Sequence, residues 1–328
     1  MNIKINSIQQ DYSTNDVLDW IYFEYPSAVC DRNEDFEVES MHISNHTNPI
    51  NDNSYWYRRG YLKDHGYHPG SILNQYDNQS VRNIFLNVYD QYNFEEKAIH
   101  EAYIDWYDQL FKQRLNKRSD NNINKLKVLQ KAKEAGLLIP ETLVSSNISV
   151  IGDFYRSHEK IIVKDVMLDD IKINWDEEFD ILVKVPPTIV TDAHIQQLKE
   201  IRSNISQGYI FLQEYIEKEY ELRIFYLDDK LYSMAIFSQA NERTKVDFRN
   251  YDTERPNRCV PYLLPGKETK KIKKLMKSLD INCASIDMIY TDKKEYVFLE
   301  ANPVGQFQWL SDNCNYDIER SIARFLNQ

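Results

Sequence analysis

Near the end of the chain, Glu300 and Asn302 stand two residues apart in Phe298-Leu299-Glu300-Ala301-Asn302-Pro303. Side chains two apart in an extended segment point to one face, and the proline then ends the ladder. Two oxygen donors aimed at one point suit a hard cation such as Mg²⁺. Asp287 lies inside the otherwise apolar run Ser285-Ile286-Asp287-Met288-Ile289 and would complete the set. A carboxylate in such a strand must be paired or coordinated, because an isolated buried charge is strongly unfavourable. A solvated strand end with a salt-bridged aspartate fits the same spacing, and both readings stand at this point.

Further constellations carry charge or amide groups. Phe211-Leu212-Gln213-Glu214-Tyr215-Ile216 is an apolar strand ending in an amide and a carboxylate, the makings of a hinge whose backbone reads a purine edge. Glu221 and Arg223 share a strand face further on, and a guanidinium fixed beside a carboxylate suits bidentate phosphate recognition. A cross-strand ion pair on an exposed face is the plainer alternative. Lys164 closes the apolar run Ile161-Ile162-Val163, with Lys125 upstream; its ammonium needs a polar partner, either a nucleotide phosphate or solvent. In Thr244-Lys245-Val246-Asp247-Phe248-Arg249 alternation puts Asp247 and Arg249 on one face and Phe248 on the other. That pair could hold a substrate carboxylate and its nucleophile, or bridge a loop.

The elements that must position these residues follow from the pattern. Ile3 to Ile5 reads as a strand, and Ser13 or Thr14 as the cap of a helix carrying Val17, Leu18 and Ile21, which implies an α/β lobe. Asn45 to Asn53 is polar and reads as loop, ahead of the cluster Tyr55-Trp56-Tyr57-Arg58-Arg59-Gly60. Phe94 to Leu115, with Ile99, Ala102, Trp106 and Leu110, is predicted as one helix of about six turns running into a polar boundary at Lys117 to Asn122. Asn124 to Ala135 is helical by pattern and stops at Gly136 and Pro140. Strands are predicted at Lys160 to Val166 and Ile181 to Val185, with a crossing helix at Asp192 to Ile205. More strands follow at Ile210 to Ile216, Glu221 to Leu227, Leu231 to Phe237, Ser285 to Tyr290 and Tyr296 to Glu300. The expected architecture is mixed α/β in three lobes, without internal repeats.

Composition narrows the function classes. The chain has 328 residues, enough for one large multi-lobed domain or a few small ones, and its 28% charged and 42% hydrophobic residues suit an ordinary globular protein. No run approaches the roughly 18 apolar residues of a membrane span, and Met1 to Ile5 does not open a secretory signal, so a cytoplasmic location is expected. Cys30, Cys259, Cys283 and Cys314 are far apart and read as structural thiols. A net charge of −11 repels phosphate backbones and makes nucleic acid a poor partner. The basic stretch Lys267 to Lys277 carries Ile272, Leu275, Met276 and Leu279 at helical spacing and reads as the solvated side of an amphipathic helix.

Taken in order, these residues resemble the ATP-grasp superfamily. More narrowly they resemble the peptide maturases that make graspetides, which include the microviridin ligases and the ATP-grasp enzymes of grasp-with-SPASM systems. The resemblance runs over nearly the whole chain: Asp11-Tyr12-Ser13-Thr14, Tyr55 to Gly60, Asn124-Lys125, Gln213 to Ile216, Glu221-Leu222-Arg223, Ser238-Gln239, Asp247-Phe248-Arg249 and Phe298 to Gln306. It implies an N-terminal pre-ATP-grasp domain over 1–120, a central lobe with leader-peptide contacts over 121–207 and a C-terminal lobe with metal and catalytic residues over 208–328, with ATP between the last two. It implies that Lys125 and Lys164 contact ATP phosphates, that Gln213, Glu214 and Ile216 surround adenine beside Tyr215, and that Asp287, Glu300 and Asn302 bind Mg²⁺. Arg223 would lie near the transferred phosphoryl, and Asp247 with Arg249 near the core peptide.

The activity implied is ester or amide formation between Asp or Glu and Thr, Ser or Lys side chains of a precursor peptide whose leader is also bound. A homodimer and a radical-SAM/SPASM-type pathway partner are expected with it. Two departures stand out: Asp165 to Ile173 contains no glycine where many relatives close a Gly-rich loop, and Cys283-Ala284-Ser285 replaces an expected glycine before Asp287. A ligase adding a free amino acid such as glutamate to a terminus shares every nucleotide residue above. A peptide-binding module without turnover is the third reading, and the intact Asp287, Glu300 and Asn302 set speaks against it.

Overall fold

The computed structural model describes residues 2–36, 40–43, 51–62, 78–117, 123–164, 171–174, 180–183, 187–202, 208–250 and 252–328. The chain forms two compact units, Met1–Asn121 with Asp317–Gln328, and Asn122–Tyr316.

The first unit is built on β1 (Asn2–Ser7), α1 (Tyr12–Glu24), β2 (Val29–Asn33), β3 (Asp35–Phe36), β4 (Asn51–Arg59), β5 (Tyr61–Leu62), α2 (Gln79–Asp108) and β6 (Phe111–Leu115). Its main sheet has the order β2-β1-β4-β6, and every pair in it is parallel. Parallel neighbours need crossovers, which α1 supplies between β1 and β2 and α2 between β4 and β6. Ile3, Ile5, Trp56, Tyr57 and Leu115 are fully buried, as expected of a sheet covered on its faces. Two sequence expectations are corrected here. The cap of α1 is Asp11, and Ser13 and Thr14 lie inside the first turn. The periodic segment is a 30-residue helix that starts after Asn78, whose side chain accepts from Ser80 and Val81, and Phe111–Leu115 is a strand rather than its last turn. Of the stretch expected as loop, Asn51 to Asn53 opens β4, and 45–50 lies outside the described residues.

The unit is closed by the last helix of the chain, Ile318–Leu326, which packs on α1. Arg320 and Arg324 both donate to the carboxylate of Glu24, at 2.5 Å and at 2.8 and 2.9 Å.

The second unit opens with α3 (Lys125–Ala135), capped by Asn124 and ended by Gly136 at φ 88°, a left-handed conformation that costs glycine little. Then follow β7 (Thr142–Ser145), α4 (Ile148–Ser157), β8 (Ile161–Lys164), β9 (Ile171–Asn174), β10 (Asp180–Val183), β11 (Thr188–Ile189), α5 (Asp192–Arg202) and β12 (Ile210–Glu214). The remainder is β13 (Tyr220–Leu227), β14 (Lys230–Phe237), β15 (Arg258–Tyr262), α6 (Gly266–Leu279), β16 (Cys283–Tyr290), β17 (Tyr296–Asn302) and α7 (Gln308–Cys314). One sheet has the order β11-β8-β12-β7 and the larger one β15-β14-β13-β16-β17, all antiparallel.

One face of the larger sheet carries Leu222, Ile224, Ile286, Met288 and Phe298 against α3 and α6, where Val128, Ala132, Ile272, Leu275 and Met276 complete the core. The basic stretch of α6 thus has the amphipathic role read from its pattern. Because strand side chains alternate, Glu221, Arg223 and Asp287 fall on the opposite face.

Candidate active site

Arg223 on β13 pairs in register with Asp287 on β16, which pairs with Glu300 on β17, so the three form a row across the sheet. In β17 the row depends on an irregularity. Phe298 opposes Met288 and faces the core, yet Glu300, two residues on, opposes Asp287 and faces away, because the register slips between them. Such a bulge inserts one extra residue and re-aims everything beyond it. Glu300 and Asn302 leave the core by that device, while Ala301 points into it.

The row is densely charged. Arg223 is 8% and Asp287 6% exposed, and Arg223 Nη1 donates to both carboxylate oxygens of Asp287 at 2.8 and 3.0 Å. Arg223 Nη2 also reaches the carbonyl oxygen of Gln306 at 3.3 Å, which Ser285 Oγ holds at 3.0 Å. Its Nε is buried with no acceptor among the described residues. Burial pushes the Asp287 carboxyl above its ordinary range; Arg223 opposes this and the neighbouring Glu300 adds to it. Glu300 lies 3.7 Å from Lys125 and 3.5 Å from Arg249. Burial would raise its pKa, but Arg249, Lys125, Lys164 and Arg223 together hold it below the ordinary range. Lys164, the last residue of β8, is desolvated and its pKa falls accordingly, with Glu300 as the opposing charge.

Asp247 and Arg249 meet as expected but on a turn, not on the strand that alternation suggests. Arg249 Nε donates to Asp247 at 2.9 and 3.1 Å and Nη2 at 2.8 Å, while the Arg249 backbone N–H donates to Asp247 Oδ1 at 3.0 Å. That local side-chain to backbone bond shapes a turn and competes with a ladder. Asp247 is held low by Arg249 despite burial, and Arg249 is correspondingly raised. Phe248 is buried beside Trp309, with ring centroids 5.7 Å apart.

The residues expected to form the hinge lie at the end of β12 and just beyond it. Gln213 is buried and its amide donates to Thr142 Oγ1 at 3.1 Å; Glu214 accepts from the Glu141 N–H at 3.3 Å. The Tyr215 N–H is taken by the Lys160 carbonyl at 3.0 Å, and the strand stops at Glu214, short of Ile216. Burial and the nearby Glu217 and Glu221 push the Tyr215 phenol up to about 12. Glu221, 5% exposed, accepts from Ser238 Oγ at 2.7 Å and from Lys218 at 2.9 Å. Lys218 is a site residue without a sequence pattern to reveal it, since it stands in the charged turn Glu217-Lys218-Glu219.

Mg²⁺ is held by hard oxygen donors. Among the described residues no three His, Cys, Asp or Glu side chains converge on one point. The expected set is two carboxylates and an amide, all hard oxygens, and Asp287 and Glu300 stand opposite one another. The Asn302 oxygen accepts from the Val304 N–H at 3.1 Å and keeps a second lone pair. Two neighbouring carboxylates, Asp287 buried and Glu300 half-buried, ringed by Lys125, Lys164, Arg223 and Arg249, fit a divalent cation together with a polyanion.

No protein-family profile and no curated protein matches the sequence. Solved structures do. The macrocyclase MdnC bound with precursor peptide MdnA, from Microcystis aeruginosa MRC, superposes with a TM-score of 0.69 at 24% identity over 100% of this chain and 99% of its own. A RiPP-associated ATP-grasp ligase of Chryseobacterium gregarium, in complex with ADP and a leader and core peptide, gives 0.71 at 22% identity over 99% and 96%. The ATP-grasp ligase PsnB, complexed with minimal precursor, Mg and ADP, gives 0.67 at 14% identity over 99% and 96%. The fold is the ATP-grasp fold, α/β in class. None of the described helices is long and apolar enough to cross a membrane.

Proposed function

We propose that this chain is an ATP-dependent ligase that macrocyclises a ribosomally made precursor peptide, joining Asp or Glu side chains to Thr, Ser or Lys side chains through an acyl phosphate. The observation that carries the reading is the row Arg223, Asp287 and Glu300 with Lys125, Lys164 and Arg249 gathered on Glu300. The likeness to peptide-bound ligases of the same fold supports it. Adenine would lie against Gln213 to Ile216 and the phosphates toward Lys125 and Lys164, with Glu221 also on the nucleotide, between the lobes 121–207 and 208–328. Mg²⁺ held by Asp287, Glu300 and Asn302 would neutralise phosphate charge and polarise the group being transferred.

The chain's own residues do the rest. Arg223 is fixed by Asp287 and the Gln306 carbonyl, and its unpaired buried Nε–H leaves a donor for a phosphoryl oxygen. The peptide carboxylate displaces ADP from the γ-phosphorus, and a hydroxyl or amine of the same peptide then attacks the carbonyl carbon and expels phosphate. Asp247, kept ionised by Arg249, orients that nucleophile and accepts its proton. Binding of the leader by the central lobe, a homodimer, a cytoplasmic location and a radical-SAM/SPASM-type partner belong to the same reading.

Intact-mass spectrometry of a candidate precursor incubated with the protein, ATP and Mg²⁺ tests it. The expected result is loss of one water per bond, absent in a Glu300→Ala/Asn302→Ala variant. A mass gain when free amino acids are supplied would replace it by the terminal ligase, and tight binding with no mass change by a binding module.

A further inference from the structure

The turn that bears Asp247 and Arg249 belongs to no sheet, so something other than a ladder must hold the pair against the row. Lys218 is built to do so. Its side chain is 3% exposed, its ammonium lies 2.9 Å from Glu221 Oε1, and it donates to the carbonyl oxygen of Val246 at 3.0 Å, one residue before Asp247. Lysines are almost never buried to this degree unless paired, and this one spends one contact on a carboxylate of β13 and another on the turn. The carboxylate is itself fixed by Ser238 Oγ at 2.7 Å. From the same end of the turn Gln239 donates to the Lys245 carbonyl at 3.1 Å and Thr244 Oγ1 to the Ser238 carbonyl at 3.0 Å. Lys218 thus spans from the strand that carries Arg223 to the backbone that carries Asp247.

We infer that Lys218 is a positioning residue, which ties the Asp247–Arg249 turn to β13 and keeps the peptide-facing pair in line with Arg223 and Glu300. The role in catalysis rests on the ligase reading above; the tie itself does not. An ammonium reaches both anchors at once, whereas an amide at the same place keeps a donor for Val246 and loses the charge that Glu221 needs. The graded pair Lys218→Met and Lys218→Gln therefore separates the two functions of the side chain.

Two measurements on the full chain decide the matter. In hydrogen exchange followed by mass spectrometry, Lys218→Met should speed exchange of the amides of residues 244–250 by about tenfold or more while β13 and β16 keep their protection. In turnover with precursor peptide, kcat/KM for the peptide should fall about ten- to hundredfold, the effect of losing a hydrogen bond from a charged donor. Lys218→Gln should lie between, and it decides alone if the methionine variant fails to fold. Unchanged exchange over 244–250, exchange speeded equally in β13 and β16, or an unchanged kcat/KM for the peptide would overturn the inference. If the unmutated protein joins nothing, the ligase reading fails and the exchange result alone judges Lys218.

Discussion

Removing the carboxylate of Asp11 should unfold the first unit far more readily than any surface change. The side chains of Asp11 and Arg58 are 1% and 2% exposed, and Arg58 Nε donates to Asp11 Oδ2 at 3.0 Å. The same oxygen accepts from Thr14 Oγ1 at 2.8 Å, which in turn meets Ser7 Oγ at 2.8 Å. Deleting one partner of a buried ion pair leaves the other charge desolvated, a cost of about 3–5 kcal/mol. Asp11→Ala should show a loss of that size, whereas replacing both residues by apolar ones of similar volume, Asp11→Leu with Arg58→Met, should recover most of it. Burial alone would raise the Asp11 pKa, but Arg58 and Thr14 outweigh it and hold it below the ordinary carboxylate range. Its stabilising contribution is therefore complete above that range and disappears as pH falls through the folded-state value, and Asp11→Asn should flatten this slope. Urea unfolding followed by the fluorescence of Trp20, Trp56 and Trp106, all in this unit, measures both effects. A cost for Asp11→Ala under about 1 kcal/mol, or a double variant no more stable than the single, would refute the reasoning.

Arg223→Met should lower kcat about a hundredfold or more in an ADP-release assay, the scale seen when a donor aimed at developing charge is lost, and an unchanged kcat would remove Arg223 from the mechanism. At Gly305 an added Cβ would lie 2.4 Å from Ser285 Cβ and 3.0 Å from the Asn302 carbonyl oxygen. Gly305→Ala should cost about 1–3 kcal/mol in thermal unfolding and, through Ser285 and Gln306, reduce turnover as well; a fully active, equally stable variant would contradict this. The imidazole of His158 is raised: burial lowers its pKa, but the Phe154 carbonyl and Glu141, 3.2 Å away, more than offset that. Its contribution to stability is complete below the ordinary imidazole value and is lost as pH rises through the raised folded value, so melting temperature should fall over that interval in the unmutated protein and stay flat in His158→Gln.

That Asp287 needs a partner is legible in the sequence, because a charge in an apolar run demands one; which partner is not, since alternation sets Arg223 beside Glu221 whereas Arg223 pairs with Asp287 and Glu221 with Lys218. Which way Glu300 points is not legible. By simple alternation it shares a face with Phe298, and only the register slip opposite Asp287 and Met288 separates them. Asp247 and Arg249 can be paired from spacing but not placed on a turn, since the bond from the Arg249 N–H to Asp247 replaces the ladder that alternation suggests. Periodicity carried a helical reading through Phe111–Leu115 because a strand of five residues next to a long helix leaves too short a run to show its own period. The cap at Asp11 was masked by two equally good capping residues after it. Lys218 and the return of the last helix to Glu24 depend on partners 28 and 296 residues away, which no local pattern records.

The account turns on a peptide carboxylate being phosphorylated before it is joined, and labelled oxygen follows that step directly. A precursor whose Asp and Glu side chains carry heavy oxygen is incubated with the protein, ATP and Mg²⁺, and the phosphate and peptide are weighed. One heavy oxygen in the released phosphate for each water lost from the peptide is the predicted result. Loss of water from the peptide with no label in phosphate would contradict the acyl phosphate and the roles given to Arg223 and Glu300.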